Sequence, residues 1–171
     1  MTETDRVEYI RQARAKYDSY DTSVWIKDGG VRIGKHVEYV TGFDDQSGGF
    51  TVIHKGHKFD VETGKYEIKT ANILTKNGYQ VEMMDESNFE KPQYDINVNG
   101  YPTEIKVMSG FRNIHKRAEE ASLQDAKRIV YYIKFDNDWE MFKRLSNVYK
   151  TVENIDEIWY IKNNILHYLK K

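Results

Sequence analysis

The dipeptide Asn99-Gly100 separates two alternating runs, Tyr94-Asp95-Ile96-Asn97-Val98 and Tyr101-Pro102-Thr103-Glu104-Ile105-Lys106-Val107. Both central residues of a type I′ turn need positive φ, so Asn-Gly in this setting specifies a two-residue hairpin loop and sets the register of its strands. Val98 then pairs with Tyr101, and counting outward brings Asp95 across from Glu104. Like charges in that register are destabilising, with Cβ atoms roughly 5 Å apart. A folded chain tolerates them when a cation lies between the carboxylates or when one is protonated. Lys106 lies two residues past Glu104 and projects from the same face, while Ile96, Val98, Ile105 and Val107 occupy the other. Pro102 falls opposite Asn97 and cannot donate to the ladder, so the pairing is expected to be irregular there.

At 171 residues, with 39% apolar and 13% aromatic side chains, the chain is long and apolar enough to bury one real core. The net charge of −1 provides no global footprint for a polyanion, so any nucleic-acid partner must be met by a local basic patch. No cysteine is present, which excludes disulfides and thiolate metal sites and permits a reducing compartment. The first sixteen residues are charged throughout and carry no apolar segment of the signal-peptide kind, and no run reaches membrane-span length. The expectation is a soluble, cytoplasmic protein that does not enter a membrane.

Asp5 and Glu8 read as a capping pair for a helix over 5–17 with Val7, Ile10 and Tyr17 on its apolar stripe. Residues 20–60 are rich in Gly, Asp and β-formers, and the runs 23–26, 36–40 and 49–53 read as strands or extended arms. From Thr63 the period changes: Glu67, Ala71, Leu74 and Gly78 follow helical spacing, and Gly78 is placed to end the helix. A strand over 79–84, the hairpin, a helix near 111–126 and a buried strand at 129–133 come next. A helix marked by Trp139, Phe142 and Leu145 and a closing hairpin turning at Asn163-Asn164 complete the chain. The order from residue 63 is α, β, β, β, α, β, α, β, β, which predicts an α/β protein with a mixed sheet and helices packed on it.

A hydrolytic Mg²⁺ or Mn²⁺ site needs few protein ligands, because the ion keeps several waters and takes phosphate oxygens from its substrate. Asp95 and Glu104 supply two carboxylates, and Lys106 can orient an attacking water and offset developing charge. Glu67 shares a helical face with Ala71 and Leu74, so its carboxylate is expected to point toward the sheet. It reads equally well as a first-turn glutamate favoured by the helix dipole. For the hairpin trio the plain alternative is an exposed strand face on which Lys106 neutralises one acid.

Taken together, Glu67-x-x-x-Ala71-x-x-Leu74-x-x-x-Gly78-Tyr79-x-Val81, Pro92-x-x-Asp95 and Glu104-x-Lys106 resemble the PD-(D/E)xK nuclease superfamily. Within it the chain looks most like the C-terminal tRNase toxin domains of contact-dependent growth inhibition proteins. It also resembles the Barrasa-like nuclease domains attached to phage head proteins. The run 49–58 and the Trp159-Tyr160-Ile161 segment fit that subgroup, and the resemblance covers about 49–170, leaving 1–48 as an N-terminal helix and extended region. Pro92 stands two residues from Asp95 instead of adjoining it. The resemblance implies a restriction-endonuclease-like core and a Mg²⁺- or Mn²⁺-dependent endonuclease. Glu67, Asp95, Glu104 and Lys106 would be its catalytic residues, and Asp95, Glu104, the Ile105 carbonyl and Glu67 would hold the metal. It further implies tRNA or DNA as substrate, admits an immunity protein as partner, and points to delivery into a target-cell cytoplasm if the protein is a toxin.

Some members of that superfamily carry a glutamine facing the site from the helix after Glu-x-Lys, a role that would fall on Gln124; a surface glutamine is the plain alternative. His54 and His57 could contact substrate phosphates beside Lys55 and Lys58, with a structural or solvated role as the plainer reading; they are weak as a metal pair, since Gly56 between them argues against a helix and no third ligand is close. Arg112, His115, Lys116, Arg117, Lys127 and Arg128 form the dense basic stretch, with Arg117 a substrate contact or part of a solvated face. Two readings of other classes stand beside the nuclease. One is a non-catalytic nucleic-acid-binding or phage-structural module that keeps the fold. The other is a toxin-neutralising interaction protein, which would need no inward acids.

Overall fold

The computed structural model describes residues 1–87 and 94–171; Pro92 lies outside the described residues. Contacts divide the chain into two units, one holding Met1–Ser87 with Asn97–Gly100, the other 94–96 with Tyr101–Lys171. The architecture is mixed α/β, as the element order predicts.

In the first unit α1 (Glu3–Ser19) starts two residues earlier than expected. The cap is Thr2, whose hydroxyl accepts the Asp5 N–H at 3.0 Å while the Asp5 carboxylate accepts the Thr2 N–H at 3.2 Å. Strands β1 (Trp25–Ile26), β2 (Gly29–Ile33), β3 (His36–Val40) and β4 (Phe50–His54) follow. β2 and β3 form a separate antiparallel pair. β1 runs antiparallel to β4, and β4 runs parallel to β5 (Gln80–Met83) through the crossover helix α2 (Gly64–Lys76). α2 buries Ile68, Ala71 and Leu74, and Gly78 at φ +91° follows its end. Tyr17, Phe50 and Val52 form a small aromatic-rich core flanked by Tyr20, Trp25 and Phe43.

β6 (Ile96–Val98) leads through Asn99 at φ +52° and Gly100 at φ +77° directly into β7 (Tyr101–Met108), the two-residue loop that the sequence specifies. Pro102 sits within the continuous strand β7. Its carbonyl accepts the Lys127 N–H at 2.9 Å, and an acceptor is all a proline can offer to a neighbouring chain.

The second unit is a run of parallel strands with a closing hairpin. β7, α3 (Ile114–Leu123), β8 (Arg128–Ile133), α4 (Asp138–Thr151) and β9 (Glu157–Lys162) place β7, β8 and β9 side by side and parallel. β10 (Ile165–Leu169) returns antiparallel through Asn163 and Asn164, both in the left-handed region. Met108, Ile129, Tyr131, Ile133 and Ile158 pack with Ile114, Ala118 and Ala121 of α3 and Met141, Leu145 and Val148 of α4. The expected stripe on α4 is thus only partly the buried one: Leu145 is inside, while Trp139 and Phe142 face solvent. Trp139 and Phe142 lie one residue off the Met141-Leu145-Val148 line, and at 100° per residue that carries them out of the contact.

Candidate metal centre

The parallel register aligns Glu104 with Ile129, Lys106 with Tyr131 and Met108 with Ile133. Since aligned residues share a face, Glu104 and Lys106 open onto the side that carries the apolar core beneath α3 and α4. That placement buries a carboxyl group: Glu104 is 6% exposed. The hairpin brings Asp95 to it. The Asp95 N–H donates to Glu104 Oε1 at 3.2 Å. The Lys106 ammonium stands 3.6 Å from Glu104 Oε2 and is itself largely shielded.

Two carboxylates against one ammonium leave the cluster short of positive charge. Burial first, and the neighbouring Asp95 charge second, push the Glu104 carboxyl well above the usual carboxylate range, with Lys106 offsetting part of the shift. Asp95 Oδ1 is buried and, among the described residues, has no hydrogen-bond partner. A buried oxygen lacking a partner beside a buried carboxyl group whose charged form is disfavoured is a donor set that fits a divalent cation: the ion would balance the charge of both carboxylates and occupy the open lone pair. Ile105, whose carbonyl was expected as a further ligand, is 4% exposed and lies between Glu104 and Lys106 on β7. The exposed-strand alternative for the trio does not describe a glutamate this buried.

The remaining expected site residues distribute as follows. Glu67 is in the first turn of α2, in the first unit, with one carboxylate oxygen shielded from solvent. Gln124 is not on the body of α3 but is its C-cap, its backbone N–H closing the last turn on Ala121 and Glu120. Arg117 is exposed and paired with Glu120 at 3.0 Å on its own helix. His115 likewise faces Glu119, and Arg128 is buried, bonded to Glu157 at 2.7 Å and stacked on Trp159. Arg117, His115 and Arg128 of the basic stretch each face an acidic side chain of the protein. Lys58 is exposed, and its backbone N–H donates to Glu86. His54 is half-buried and His57 buried. Glu86, bonded to the loop that carries both histidines, was not singled out in the sequence; an acidic pair, Asp85-Glu86, directly beyond β5 is the signal that could have found it.

No protein-family model matches this sequence, and no curated protein matches it. Among solved structures, the chain is similar to a chain of a CdiA-CT/CdiI toxin and immunity complex from Burkholderia pseudomallei. The TM-score is 0.53 at 16% identity, over 71% of this chain and 99% of that one. At that identity the likeness establishes a shared fold. The chain thus has the mixed α/β fold found in a CdiA-CT/CdiI complex.

Proposed function

We propose that this chain is a metal-dependent nuclease acting as a toxin of the CdiA-CT kind. The observation that carries the reading is the buried Asp95–Glu104 carboxyl pair with the Lys106 ammonium 3.6 Å from Glu104. The shared fold with a chain of a CdiA-CT/CdiI complex supports the toxin assignment, and a catalytic trio favours the toxin side over the immunity side. Asp95, Glu104 and the Ile105 carbonyl would hold Mg²⁺ or Mn²⁺. The bound ion would polarise the phosphoryl group and lower the pKa of a coordinated water.

The chain's own groups do the rest. Glu104 would give up its proton if a cation bound, becoming the charged ligand that its burial otherwise disfavours. Lys106, held on the Glu104 face by the strand period, donates to the attacking water and balances charge growing on the phosphoryl oxygens. The β7 core fixes both side chains before substrate arrives. The substrate is a phosphodiester of tRNA or DNA, the cognate partner an immunity protein, and the working compartment the target-cell cytoplasm.

Incubation of the full chain with tRNA and with duplex DNA, with Mg²⁺, Mn²⁺ or EDTA, tests the reading. Metal-dependent cleavage lost in both Glu104→Gln and Lys106→Ala is the expected result. Cleavage by Glu104→Gln at the wild-type rate would overturn it. Binding of either nucleic acid with no cleavage under any metal would return the non-catalytic module instead.

A further inference from the structure

The outer face of α4 is a row of polar side chains with no acid among them. Lys143, Ser146, Asn147 and Lys150 are exposed, and with Arg144 they line an open groove of about 490 Å³. Helical spacing sets Lys143 and Lys150 on one line about 10 Å apart, opposite the buried Met141-Leu145-Val148 stripe. Arg144 leans toward α3, its guanidinium over the Phe111 ring at 5.2 Å. Further along the same seam, His115 Nε2 and Thr151 Oγ1 share a hydrogen bond at 2.8 Å. Arg112 and Lys116 adjoin Phe111 and His115 in sequence, so these two cations border the seam between the helices. Phe111 follows Lys106 by five residues, which keeps the start of the row within about 18 Å of that lysine.

Helix electrostatics account for only part of this placement. A helix dipole favours acids in the first turn and cations in the last, which covers Asp138, Glu140 and Lys150. It opposes Lys116 in the first turn of α3, a turn that holds no acid, and does nothing for Lys143 in the second turn of α4. The acids of the two helices are engaged elsewhere. Glu119 faces His115 at 2.7 Å, Glu120 faces Arg117 at 3.0 Å, Glu140 faces Arg144 at 3.4 Å, and Asp138 meets the Lys162 ammonium. Arg112, Lys116, Lys143 and Lys150 are exposed and have no carboxylate partner among the described residues. Cations gathered without balancing acids, partly against the helix dipole, fit an extended anionic ligand.

We propose, resting on the nuclease reading, that this face of α4, with Arg112 and Lys116 beside it, docks the sugar–phosphate backbone of a nucleic acid by charge and without reading base sequence. The Ser146 hydroxyl and Asn147 amide add donors for phosphate oxygens between the cations. An anionic membrane is the poorer fit. A membrane-surface helix inserts its apolar stripe, and α4 keeps Met141, Leu145 and Val148 in the core.

Fluorescence anisotropy of the full chain in EDTA, with a labelled RNA of about 20 nucleotides and with DNA of the same sequence, tests the surface across roughly 50–200 mM salt. Lys143→Ala/Lys150→Ala should weaken binding severalfold and flatten the log–log salt slope by about 1.4, at roughly 0.7 per single-strand phosphate contact. Lys143→Arg/Lys150→Arg should bind as wild type does. Lys35→Ala/Lys76→Ala, which removes two exposed lysines of the first unit, should leave affinity and slope unchanged. An unaltered slope in a folded Lys143→Ala/Lys150→Ala variant, or an equal loss from the first-unit control, overturns the surface. So does binding to phosphatidylglycerol vesicles that needs Lys143 and Lys150, with no binding of RNA or DNA. Mn²⁺-dependent hydrolysis of bis(p-nitrophenyl) phosphate, too small to span the row, should survive the α4 changes and be lost in Glu104→Gln. That hydrolysis reports on the hairpin trio and the EDTA binding on α4, so this inference and the nuclease reading fail separately.

Discussion

Glu104 shows how one position carries both a stability cost and a chemical purpose. Its folded-state pKa is raised above the ordinary value of 4.5, so the folded protein holds the proton more tightly than the unfolded chain. Without metal, the contribution of this group to stability is fully present below pH 4.5. It declines as pH rises, by at most about 1.4 kcal/mol per unit, until the folded-state pKa is passed. Glu104→Gln should remove that slope, because the amide supplies an N–H where the protonated acid supplies an O–H and never ionises. In EDTA, urea melts across pH 4–8 are expected to show the variant gaining on wild type as pH rises; parallel curves would mean Glu104 titrates normally. Lys106→Ala should fold and still bind Mn²⁺, yet lose several kcal/mol of transition-state stabilisation in single-turnover cleavage. Loss of Mn²⁺ affinity in that variant would assign Lys106 a different role.

At the level of elements, the readable parts are those where local chemistry and tertiary placement agree. Asn99-Gly100 and Asn163-Asn164 specify their turns because the left-handed backbone they need is one that few other residues adopt, and both hairpins form where expected. β2 was missed because Gly29 and Gly30 hide the alternation, and the strand is defined by its pairing to β3 instead. The ion pairs of Arg117 and His115, the C-cap role of Gln124 and the exposure of Trp139 all depend on where a helix begins, ends or faces to within one residue, which periodicity does not resolve. The burial of Glu104 was equally hidden, since β7 is covered on both faces and its alternation records no inside. The hairpin turn should be the sensitive point of the site. Gly100→Ala forces a Cβ into φ +77° and is expected to cost about 1–2 kcal/mol, with weakened Mn²⁺ binding as Asp95 loses its alignment with Glu104. Thermal melts with and without Mn²⁺ measure both; an Ala variant as stable as wild type would mean that the turn does not set the register.

For the whole molecule, the useful quantity is the coupling between metal and fold. The fold is shared with a chain of a CdiA-CT/CdiI complex at an identity where site residues have to be argued from this chain's own geometry, and the buried acid pair makes that argument thermodynamic. An ion that binds the folded protein and not the unfolded chain stabilises by mass action, about 2.7 kcal/mol at a hundredfold excess over its Kd. The unfolded chain has no means of holding Asp95, Glu104 and Ile105 together, so the condition is met. Because the Glu104 carboxyl is raised well above its ordinary range, loading would displace the proton it holds in the folded, metal-free state. Apparent Mn²⁺ affinity should therefore rise with pH up to that elevated pKa and level off beyond it, at no more than about tenfold per unit for one released proton. Calorimetric titrations in buffers of different ionisation enthalpy would count the proton directly. Wild type is expected to release it and to gain several degrees in Tm with Mn²⁺, while Glu104→Gln should release none and gain little. A wild-type titration that liberates no proton, or a Mn²⁺-induced stabilisation that survives in Glu104→Gln, would place the ion away from this carboxyl pair.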